Sequence, residues 1–329
     1  MNWQEQKVLV TGAGGFIGSH LAEKLVSLKA SVKAFVRYNS KGVCGFIDSF
    51  PPQTREKVTV IQGDLRDPEA VRNACKDVDV VFHLGALVAI PYSYVHPVEV
   101  VETNILGTLN VLTAARDCGV RKLVHTSTSE VYGTAQYVPI DEKHPLCGQS
   151  PYSASKIGAD QLAESFYRSF ELPVAVIRPF NTYGPRQSAR AVIPSVITQV
   201  ISRGTVYIGA THPTRDLTYV DDTVEGFIKI AACPEATGKV TNVGSGTEVS
   251  IKELVEKICS IVGKKAEIIF DPARLRPGKS EVERLVADTT RVKKITGWQP
   301  SITVDEGLKR TVDWISDHFS LYKPEVYAI

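Results

Sequence analysis

The chain lacks the features that anchor a protein in a membrane, bind a metal or cross-link it by disulfides. Its most apolar run, residues 78–90, is too short to span a bilayer and contains Asp79 and His83. The N-terminus lacks the apolar segment of a signal peptide. The six cysteines form no C-x-x-C pair and the seven histidines show no metal-ligand spacing, which favours reduced thiols and no metal site. These absences together predict a cytoplasmic protein with no membrane span.

A strong charge of either sign is also missing. The formal net charge is +2 at pH 7 and no block of lysine or arginine stands out, so we expect neither nucleic acid nor an anionic membrane as a partner. Individually placed arginines must therefore meet any anionic ligand. With 329 residues, 43% of them hydrophobic, the chain is long enough for one large or two modest domains.

Two motifs in the middle of the chain indicate a chemistry. T-S-T-S-E-V-Y-G at 126–133 precedes Y-S-A-S-K at 152–156. On a helix, Tyr152 and Lys156 lie one turn apart on the same face, where the ammonium favours the phenolate of a tyrosine acting as a base. Bringing the pKa of a tyrosine from about 10 to near neutrality takes about 4 kcal/mol, more than one lysine supplies. An oxidised nicotinamide would add the second positive charge, which predicts a dinucleotide site upstream.

Such a site is predicted near the N-terminus. A short apolar strand at 7–11 is followed by T-G-A-G-G-F-I-G-S-H, in which three glycines have the spacing G-x-x-G-x-x-G at the start of a helical pattern. The glycines allow a tight turn and the close approach of a pyrophosphate to the helix N-terminus. The residues expected to contact the dinucleotide here are Gly12, Gly15, Phe16, Ile17 and Gly18.

Strands alternate with long amphipathic helices through the first half of the chain. Strands are expected at 7–11, 31–36, 58–62, 78–83, 122–127 and 174–178, and long helices at 97–118 and 151–170. This alternation predicts an α/β protein with a Rossmann-type, doubly wound parallel sheet. Beyond residue 180, shorter elements with frequent Gly and Pro indicate a smaller, mostly C-terminal substrate-binding lobe. We expect a dinucleotide-binding domain at 1–180, to which a strand near 240–243 returns, and an interleaved lobe at 181–329.

The end of the second predicted strand is where a dinucleotide-binding protein distinguishes NAD from NADP. An acidic residue there would hold the ribose 2′-hydroxyl of NAD. The strand instead ends F-V-R-Y, with Arg37 and no carboxylate. Arg37 therefore favours a 2′-phosphate and NADP as the cofactor, while NAD remains possible if the guanidinium only stacks on adenine.

The two motifs together resemble the extended short-chain dehydrogenases/reductases, specifically the NAD(P)-dependent nucleotide-sugar epimerases and dehydratases. The resemblance covers nearly the whole chain, and further matching segments are 63–65, 83–86, 104–108, 178–181, 215–216 and 276–282. It implies that Asp64 meets the adenine and that Leu65 and Leu84 belong to the dinucleotide site. It also implies a homodimer in which the two long helices pack against their copies as a four-helix bundle.

The same resemblance implies a nucleoside-diphosphate sugar as the substrate. Arg215 and Arg276 match residues that grip the diphosphate, Glu281 one that approaches a ribose, and Asn181 one that helps to hold the phosphates. Arg186 is a third well-spaced cation in the lobe. Arginine suits this task because its planar fork bonds two phosphate oxygens at once.

In this family Tyr152 would take the proton of the sugar C4 hydroxyl, Thr128 would hydrogen-bond the same oxygen, and the C4 hydride would pass to the nicotinamide. Glu130 occupies the position of the base that removes the C5 proton in 4,6-dehydratases, a carboxylate that simple 4-epimerases usually lack. Ser129 stands where dTDP-glucose dehydratases have an acidic aspartate. T-S-E is instead similar to GDP-mannose 4,6-dehydratases and UDP-glucuronate decarboxylases, so either Ser129 or Glu130 would protonate the leaving C6 hydroxyl.

The wider motifs at 150–160 and 178–187 look most like bacterial 4,6-dehydratases that act on UDP- or GDP-N-acetylglucosamine. The sequence therefore predicts a 4,6-dehydratase acting on UDP-N-acetylglucosamine. The alternatives are a dehydratase that returns the hydride to C4 and leaves a 5,6-ene, a UDP-glucuronate decarboxylase, and a UDP-sugar 4-epimerase. A non-catalytic NADP-sensing regulator is a fourth, although such proteins tend to lose the tyrosine or lysine that this chain retains.

Overall fold

The computed structural model describes residues 1–325. Its strands are β1 (Lys7–Thr11), β2 (Ser31–Arg37), β3 (Val58–Gly63), β4 (Val80–His83), β5 (Lys122–Thr126), β6 (Val174–Pro179), β7 (Asn181–Tyr183), β8 (Thr205–Ile208), β9 (Thr214–Arg215), β10 (Leu217–Tyr219), β11 (Val240–Val243), β12 (Val249–Ser250), β13 (Glu267–Phe270) and β14 (Arg284–Leu285). Its α-helices are α1 (Phe16–Ser27), α2 (Pro52–Arg55), α3 (Pro68–Cys75), α4 (Ile90–Val95), α5 (Pro97–Val101), α6 (Gly107–Asp117), α7 (Pro151–Phe170), α8 (Val192–Arg203), α9 (Val220–Ala232), α10 (Ile251–Val262), α11 (Thr290–Thr296) and α12 (Val304–Asp317).

A parallel sheet of seven strands forms the centre of the molecule, in the order β11-β6-β5-β4-β1-β2-β3. Thr11, at the end of β1, lies opposite Phe35 of β2 on one side and His83 of β4 on the other. The chain order reverses between β1 and β4, and in such sheets ligands bind outside the carboxyl ends of the strands at this reversal. The predicted Rossmann-type, doubly wound sheet is confirmed.

Both faces of the sheet are covered because its strands are apolar on both sides. Val8 and Val10 belong to a core shared with α1 and α9, whereas Leu9 belongs to a second core shared with α3, α6 and α7. Successive side chains of a strand point to opposite faces, so this alternation buries all three fully. Fully burying a side chain of this kind contributes about 1.5–3 kcal/mol each.

The later part of the chain adds small sheets and helices to this frame. Strand β11 lies at the edge of the central sheet beside β6, and β7 pairs with β10. Strand β9 pairs with β12 and β14, while β8 and β13 form a separate pair. The division into domains at 1–180 and 181–329 stays a prediction, and residues 326–329 of the second lie outside the described residues.

The predicted helix at 97–118 is interrupted. A π-helical turn, Glu102–Leu106, separates α5 from α6. Asn104 lies in this turn with 1% of its surface exposed, donating hydrogen bonds to the carbonyl oxygen of Leu87 (3.0 Å) and to the Ser155 hydroxyl (2.9 Å) and accepting one from the Leu87 N–H (2.8 Å). These bonds explain the π-helical turn, because the wider turn directs the Asn104 side chain toward the loop after β4 and toward α7.

Within residues 1–325, no helix is both long and apolar enough to cross a membrane. None of the six cysteines, all of which lie in the described part, forms a disulfide.

Candidate active site

The loop between β1 and α1 forms a cradle of backbone atoms. Gly12 has a φ of +69°, and a Cβ there would lie 2.8 Å from the backbone of the loop after β4. A Cβ at Gly18 would lie 2.2 Å from the carbonyl oxygen of Gly12. Gly15 is the N-cap of α1 and no side chain caps the helix, which begins with the partly buried Phe16 and Ile17. The uncapped N–H groups and the positive end of the helix dipole suit the pyrophosphate of a dinucleotide.

The other residues predicted to contact the dinucleotide follow neighbouring strands at the same edge of the sheet. Arg37 ends β2, Asp64 and Leu65 follow β3, and Leu84 follows β4. Arg66 donates hydrogen bonds to both carboxylate oxygens of Asp64, at 2.8 and 3.0 Å, and these bonds lower the pKa of Asp64. The structure therefore brings these residues together at the carboxyl ends of the parallel strands, where the glycine cradle also lies.

Arg37 has an acidic partner that is distant in sequence. Its guanidinium lies 3.3 Å from the carboxylate of Glu99 on α5, and its side chain is 65% exposed. Glu99 also accepts a hydrogen bond from the Tyr92 hydroxyl. Glu99 could not be identified from the sequence, because the two partners are 62 positions apart and share no local pattern.

Helix α7 holds Tyr152 and Lys156 in its first two turns. Ser150 and Ser153 form a capping box, with the Ser153 N–H donating to the Ser150 hydroxyl at 3.1 Å, and Pro151 occupies the first helical position. Tyr152 and Lys156 are both buried, and the Tyr152 hydroxyl shares a hydrogen bond with the side chain of Thr128. The capping box thus fixes where α7 begins, and the Tyr152 side chain lies against the loop after β5, which contains Thr128.

Burial opposes the ionised forms of both side chains. It raises the pKa of Tyr152, and the nearby carboxylates of Glu130 and Asp160 raise it further, while the bond to Thr128 acts in the opposite direction. Burial also lowers the pKa of Lys156 to about 8, against the charge of Asp160. The protein alone therefore does not bring the tyrosine into the range of a base, which agrees with the expected need for a further positive charge.

The segment after β5 carries the other candidate catalytic residues. Thr128 caps a 3-10 helix, Ser129–Tyr132, by accepting a hydrogen bond from the N–H of Glu130 at 3.2 Å. Ser129 and Glu130 are both buried, at 2% and 8% exposure. The carboxylate of Glu130 lies 3.6 Å from the guanidinium of Arg276. One short turn therefore places a partner of Tyr152 and a buried carboxylate two residues apart.

Two of the predicted substrate-binding arginines lie with Glu130 and Glu281 in one charged cluster. Arg215 is buried and lies 3.2 Å from Glu281, and Arg276 lies 3.9 Å from the same carboxylate. Burial lowers the pKa of Arg215, although Glu130 and Glu281 act against it. Nη1 of Arg276, the atom nearest to both carboxylates, is buried and makes no hydrogen bond within residues 1–325. A buried donor of this kind is expected to find a partner, which a ligand could supply.

Asn181 and Arg186 differ in what surrounds them. The amide oxygen of Asn181 is buried and makes no hydrogen bond with the described residues, so it is available to a ligand. Arg186 turns to α1, where it bonds Glu23 at 2.8 Å and Ser19 at 3.4 Å. These contacts place Arg186 with the helix of the cradle rather than in the charged cluster.

A buried ion pair close to Lys156 along α7 was not predicted from the sequence. Asp160 follows Lys156 by one helical turn, is fully buried, and forms an ion pair with Arg178 of β6 at 2.9 Å. The i, i+4 spacing of Tyr152, Lys156 and Asp160 is visible in the sequence and could have indicated an acidic neighbour for the lysine.

The parallel sheet, the glycine cradle and the buried Tyr152–Lys156 pair are features of the short-chain dehydrogenases/reductases. Comparison with known proteins gives the family. The model of the GDP-mannose 4,6-dehydratase family matches residues 9–311, and the chain belongs to this family. The similar proteins are NAD-dependent nucleotide-sugar dehydratases and epimerases.

Similar proteins include both kinds of enzyme. A UDP-glucose 4-epimerase of Mycolicibacterium smegmatis is 32% identical over 94% of this chain and 98% of its own length. A dTDP-glucose 4,6-dehydratase of Streptomyces antibioticus is also 32% identical, over 96% and 94% of the two chains. The crystal structure of DesIV, a dTDP-glucose 4,6-dehydratase of Streptomyces venezuelae with NAD bound, superposes with a TM-score of 0.86 at 28% identity, covering 97% of this chain and 99% of that one.

Proposed function

We propose that the chain is a nucleotide-sugar 4,6-dehydratase. Such an enzyme oxidises the sugar at C4, removes the proton at C5 and expels the C6 hydroxyl as water. Glu130 carries this proposal, because its buried carboxylate stands two residues after Thr128, which is hydrogen-bonded to Tyr152. A 4-epimerase, the alternative represented among the similar proteins, needs the oxidation at C4 but no base for C5.

The charged cluster suits a nucleoside diphosphate. Arg215 and Arg276 would hold the diphosphate, since a guanidinium bonds two phosphate oxygens and Arg276 has a buried nitrogen without a hydrogen bond to the described residues. Glu281 would accept a hydrogen bond from a ribose hydroxyl. Asn181 would contribute its side-chain amide. Binding the diphosphate here would bring the sugar toward Glu130, which lies 3.6 Å from Arg276.

Oxidation at C4 would use the residues at the start of α7. Tyr152 accepts the proton of the C4 hydroxyl while Thr128 hydrogen-bonds the same oxygen. The nicotinamide, when bound, supplies the hydride acceptor and a positive charge. Lys156 contributes its own positive charge below a pH of about 8, the value to which burial lowers its pKa. The two charges together favour the phenolate that burial otherwise disfavours.

Loss of water would use Glu130 and Ser129. With C4 as a ketone, Glu130 takes the C5 proton, the electron pair of that bond forms a C5–C6 double bond, and the C6–O bond breaks. The leaving hydroxyl receives a proton either from Glu130 directly or through the hydroxyl of the adjacent, buried Ser129. A 4-keto-6-deoxy sugar would form if C6 received the hydride from the bound dinucleotide and Glu130, reprotonated from water, gave a proton to C5. A 5,6-ene would form if the hydride went back to C4 and Tyr152 returned its proton to the C4 oxygen.

UDP-N-acetylglucosamine is the substrate we propose, on the motifs at 150–160 and 178–187. Purified protein incubated with a panel of UDP-, GDP- and dTDP-sugars should convert this substrate into a product that has lost one water, detected by mass spectrometry and NMR. A product of unchanged mass would instead support a 4-epimerase, and release of carbon dioxide from UDP-glucuronate would support a decarboxylase. Turnover of another nucleotide sugar with loss of water would keep the reaction and correct the substrate.

NADP is the cofactor we propose, with NAD as the alternative that a solved relative carries. The guanidinium of Arg37 is exposed and could turn from Glu99 to a 2′-phosphate. Arg37→Ala should then lower the affinity for NADP about tenfold or more, the equivalent of one charged hydrogen bond, and leave that for NAD nearly unchanged. Glu99→Gln should raise the affinity for NADP, because it removes the competing carboxylate.

Both affinities can be measured by calorimetry on protein freed of dinucleotide, and the dinucleotide released on denaturation identifies the natural ligand. Release of chiefly NAD(H), or an Arg37→Ala protein that binds NADP as well as the wild type does, would contradict the selection of NADP by this arginine.

We also propose a homodimer through the α4–α7 region. Val95, Val98, Leu106 and Phe170 are large apolar side chains that this region exposes to solvent. Packing them against a second copy as a four-helix bundle would remove them from water. A cytoplasmic location stays the prediction made from composition.

A further inference from the structure

A buried carboxylate lies directly behind the Tyr152–Lys156 pair. Asp160 is 0% exposed. Its Oδ2 accepts hydrogen bonds from the Ser127 hydroxyl at 2.6 Å and from the guanidinium of Arg178 at 2.9 and 3.2 Å. Its Oδ1 makes no hydrogen bond with the described residues and lies 3.2 Å from Nε2 of His125, in a contact not aligned as a hydrogen bond.

Arg178 extends this network to the segment that carries Glu130. Its Nη1 donates to the Tyr132 hydroxyl at 3.0 Å, and its guanidinium lies 4.9 Å from the centre of the Tyr132 ring. The Tyr132 hydroxyl in turn donates to Asn242 of β11 at 2.7 Å. Tyr132 ends the 3-10 helix that contains Ser129 and Glu130. One chain of buried bonds therefore joins α7 to the catalytic segment after β5.

The same carboxylate is the charge that acts on Lys156. Tyr152, Lys156 and Asp160 lie at i, i+4 and i+8 of α7, so they form one stripe on the helix. The groups that face Lys156 from the sheet are His83 of β4 and His125 of β5, and burial lowers the pKa of both, which leaves them neutral. Asp160, one turn further along α7, therefore supplies the negative charge that acts on the ammonium.

Stability alone does not account for this arrangement. Replacing a buried ion pair by packed apolar residues is often neutral or stabilising. Leaving one carboxylate oxygen and both ring nitrogens of His125 without hydrogen bonds to the described residues is a further cost. An electrostatic task for the carboxylate explains why its Oδ1, which faces His125, is left without a hydrogen-bond donor among the described residues.

We propose that Asp160 is a positioning residue that keeps Lys156 charged beside Tyr152 and, through Arg178 and Tyr132, fixes the Thr128–Glu130 segment against α7. This role rests on the proposed chemistry of the Tyr152–Lys156 pair, but not on whether the reaction is dehydration or epimerisation. It also explains how the enzyme can bury the lysine and still use its charge near neutral pH.

The test is a direct titration of Lys156 in protein without cofactor or substrate. NMR of protein with 13C at the lysine Cε gives a signal for each lysine, and the signal absent from Lys156→Met belongs to Lys156. In the wild type it should titrate at a pH of about 8. In Asp160→Asn it should titrate at least about one pH unit lower, since a nearby opposite charge shifts a pKa by about one to three units.

The matched control is Asp222→Asn, because Asp222 is a buried aspartate that bonds Ser301 and Ile302, far along the chain from the site. Its removal should leave the Lys156 titration unchanged. Asp160→Asn leaves Arg178 unpaired and could unfold the protein, so Asp160→Asn/Arg178→Gln provides a second variant without an unpaired charge. A wild-type titration of Lys156 in folded Asp160→Asn would overturn the proposal. The double variant also removes the positive charge of Arg178, so its Lys156 titration is compared with that of Arg178→Gln, and no difference between these two would overturn the proposal as well. Failure of both Asp160 variants to fold would overturn the electrostatic role, because the carboxylate would then be needed for folding itself.

A second readout uses the active enzyme. The alkaline limb of the pH profile for C4 oxidation should move to lower pH in Asp160→Asn, while the KM for the nucleotide sugar stays within about twofold. An enzyme that oxidises no nucleotide sugar would refute the proposed function, whereas the NMR titration would still decide the role of Asp160.

Discussion

Tyr152→Phe is expected to fold like the wild type and to lose at least about a hundredfold in turnover, the usual size of a general-base contribution. The ring is buried and would keep its packing, so only the hydroxyl and its hydrogen bond with Thr128 are lost. A single neutral hydrogen bond contributes about 1 kcal/mol to stability. Turnover should therefore fall by orders of magnitude, while the melting temperature should change by only a few degrees. Turnover is measured as product formation and stability by thermal unfolding.

Tyr183→Phe is a matched control for this loss. Tyr183 is also buried, and its hydroxyl donates to the carbonyl oxygen of Val304 at 3.2 Å, outside the charged cluster. Its removal should change stability by a similar amount and leave turnover within about threefold. Lys156→Ala should resemble Tyr152→Phe in activity. Near-wild-type turnover in either variant would exclude the tyrosine–lysine pair as the catalytic unit and favour the regulator hypothesis.

The parts of the site that depend on local spacing could be predicted from the sequence. The cradle at Gly12, Gly15 and Gly18 follows from a strand, a turn and a helix that are adjacent in the chain. The capped start of α7 likewise places Tyr152 and Lys156 within one turn of each other. Both predictions need only the geometry of single elements, which is why the residues alone sufficed.

The parts that depend on tertiary contacts could not be predicted in this way. Arg276 and Glu130 are 146 positions apart by their residue numbers, and only the folded lobe brings them within 3.6 Å of each other. The contact of Arg186 with α1 and the partner of Arg37 are of the same kind. The hydrophobic pattern fixes which face of an element is buried, but it does not specify which charged side chains meet at the edges.

Such unpredicted pairs bear on how the base would work. Arg276 lies between the carboxylates of Glu130 and Glu281, at 3.6 and 3.9 Å. A substrate diphosphate would compete for the same guanidinium. Any variant of Glu130 therefore also changes the surroundings of Arg276, and a test of the base has to separate the chemical step from binding.

Glu130→Gln makes this separation, because glutamine has a similar size and cannot accept the C5 proton. Oxidation at C4 needs Tyr152, Thr128 and the dinucleotide, so the first half-reaction should remain largely intact. Elimination should fall by a factor of about 10² to 10⁴, or about 3 to 5 kcal/mol, the usual cost of a missing general base. Absorbance of the reduced cofactor should therefore accumulate in the mutant on mixing with substrate, followed by stopped flow.

The exchange of the C5 hydrogen tests the same step independently of binding. Wild-type enzyme should exchange deuterium at C5 with solvent, and Glu130→Gln should retain it. Glu281→Gln is the control, because Glu281 contacts the same Arg276 but is proposed to bind the ribose, so this variant should raise KM and leave the exchange per turnover unchanged. If Glu130→Gln still loses water at the normal rate, or if wild-type enzyme never exchanges the C5 hydrogen, Glu130 is not the base. The chain would then be read as a 4-epimerase, for which the Tyr152–Thr128 chemistry is sufficient.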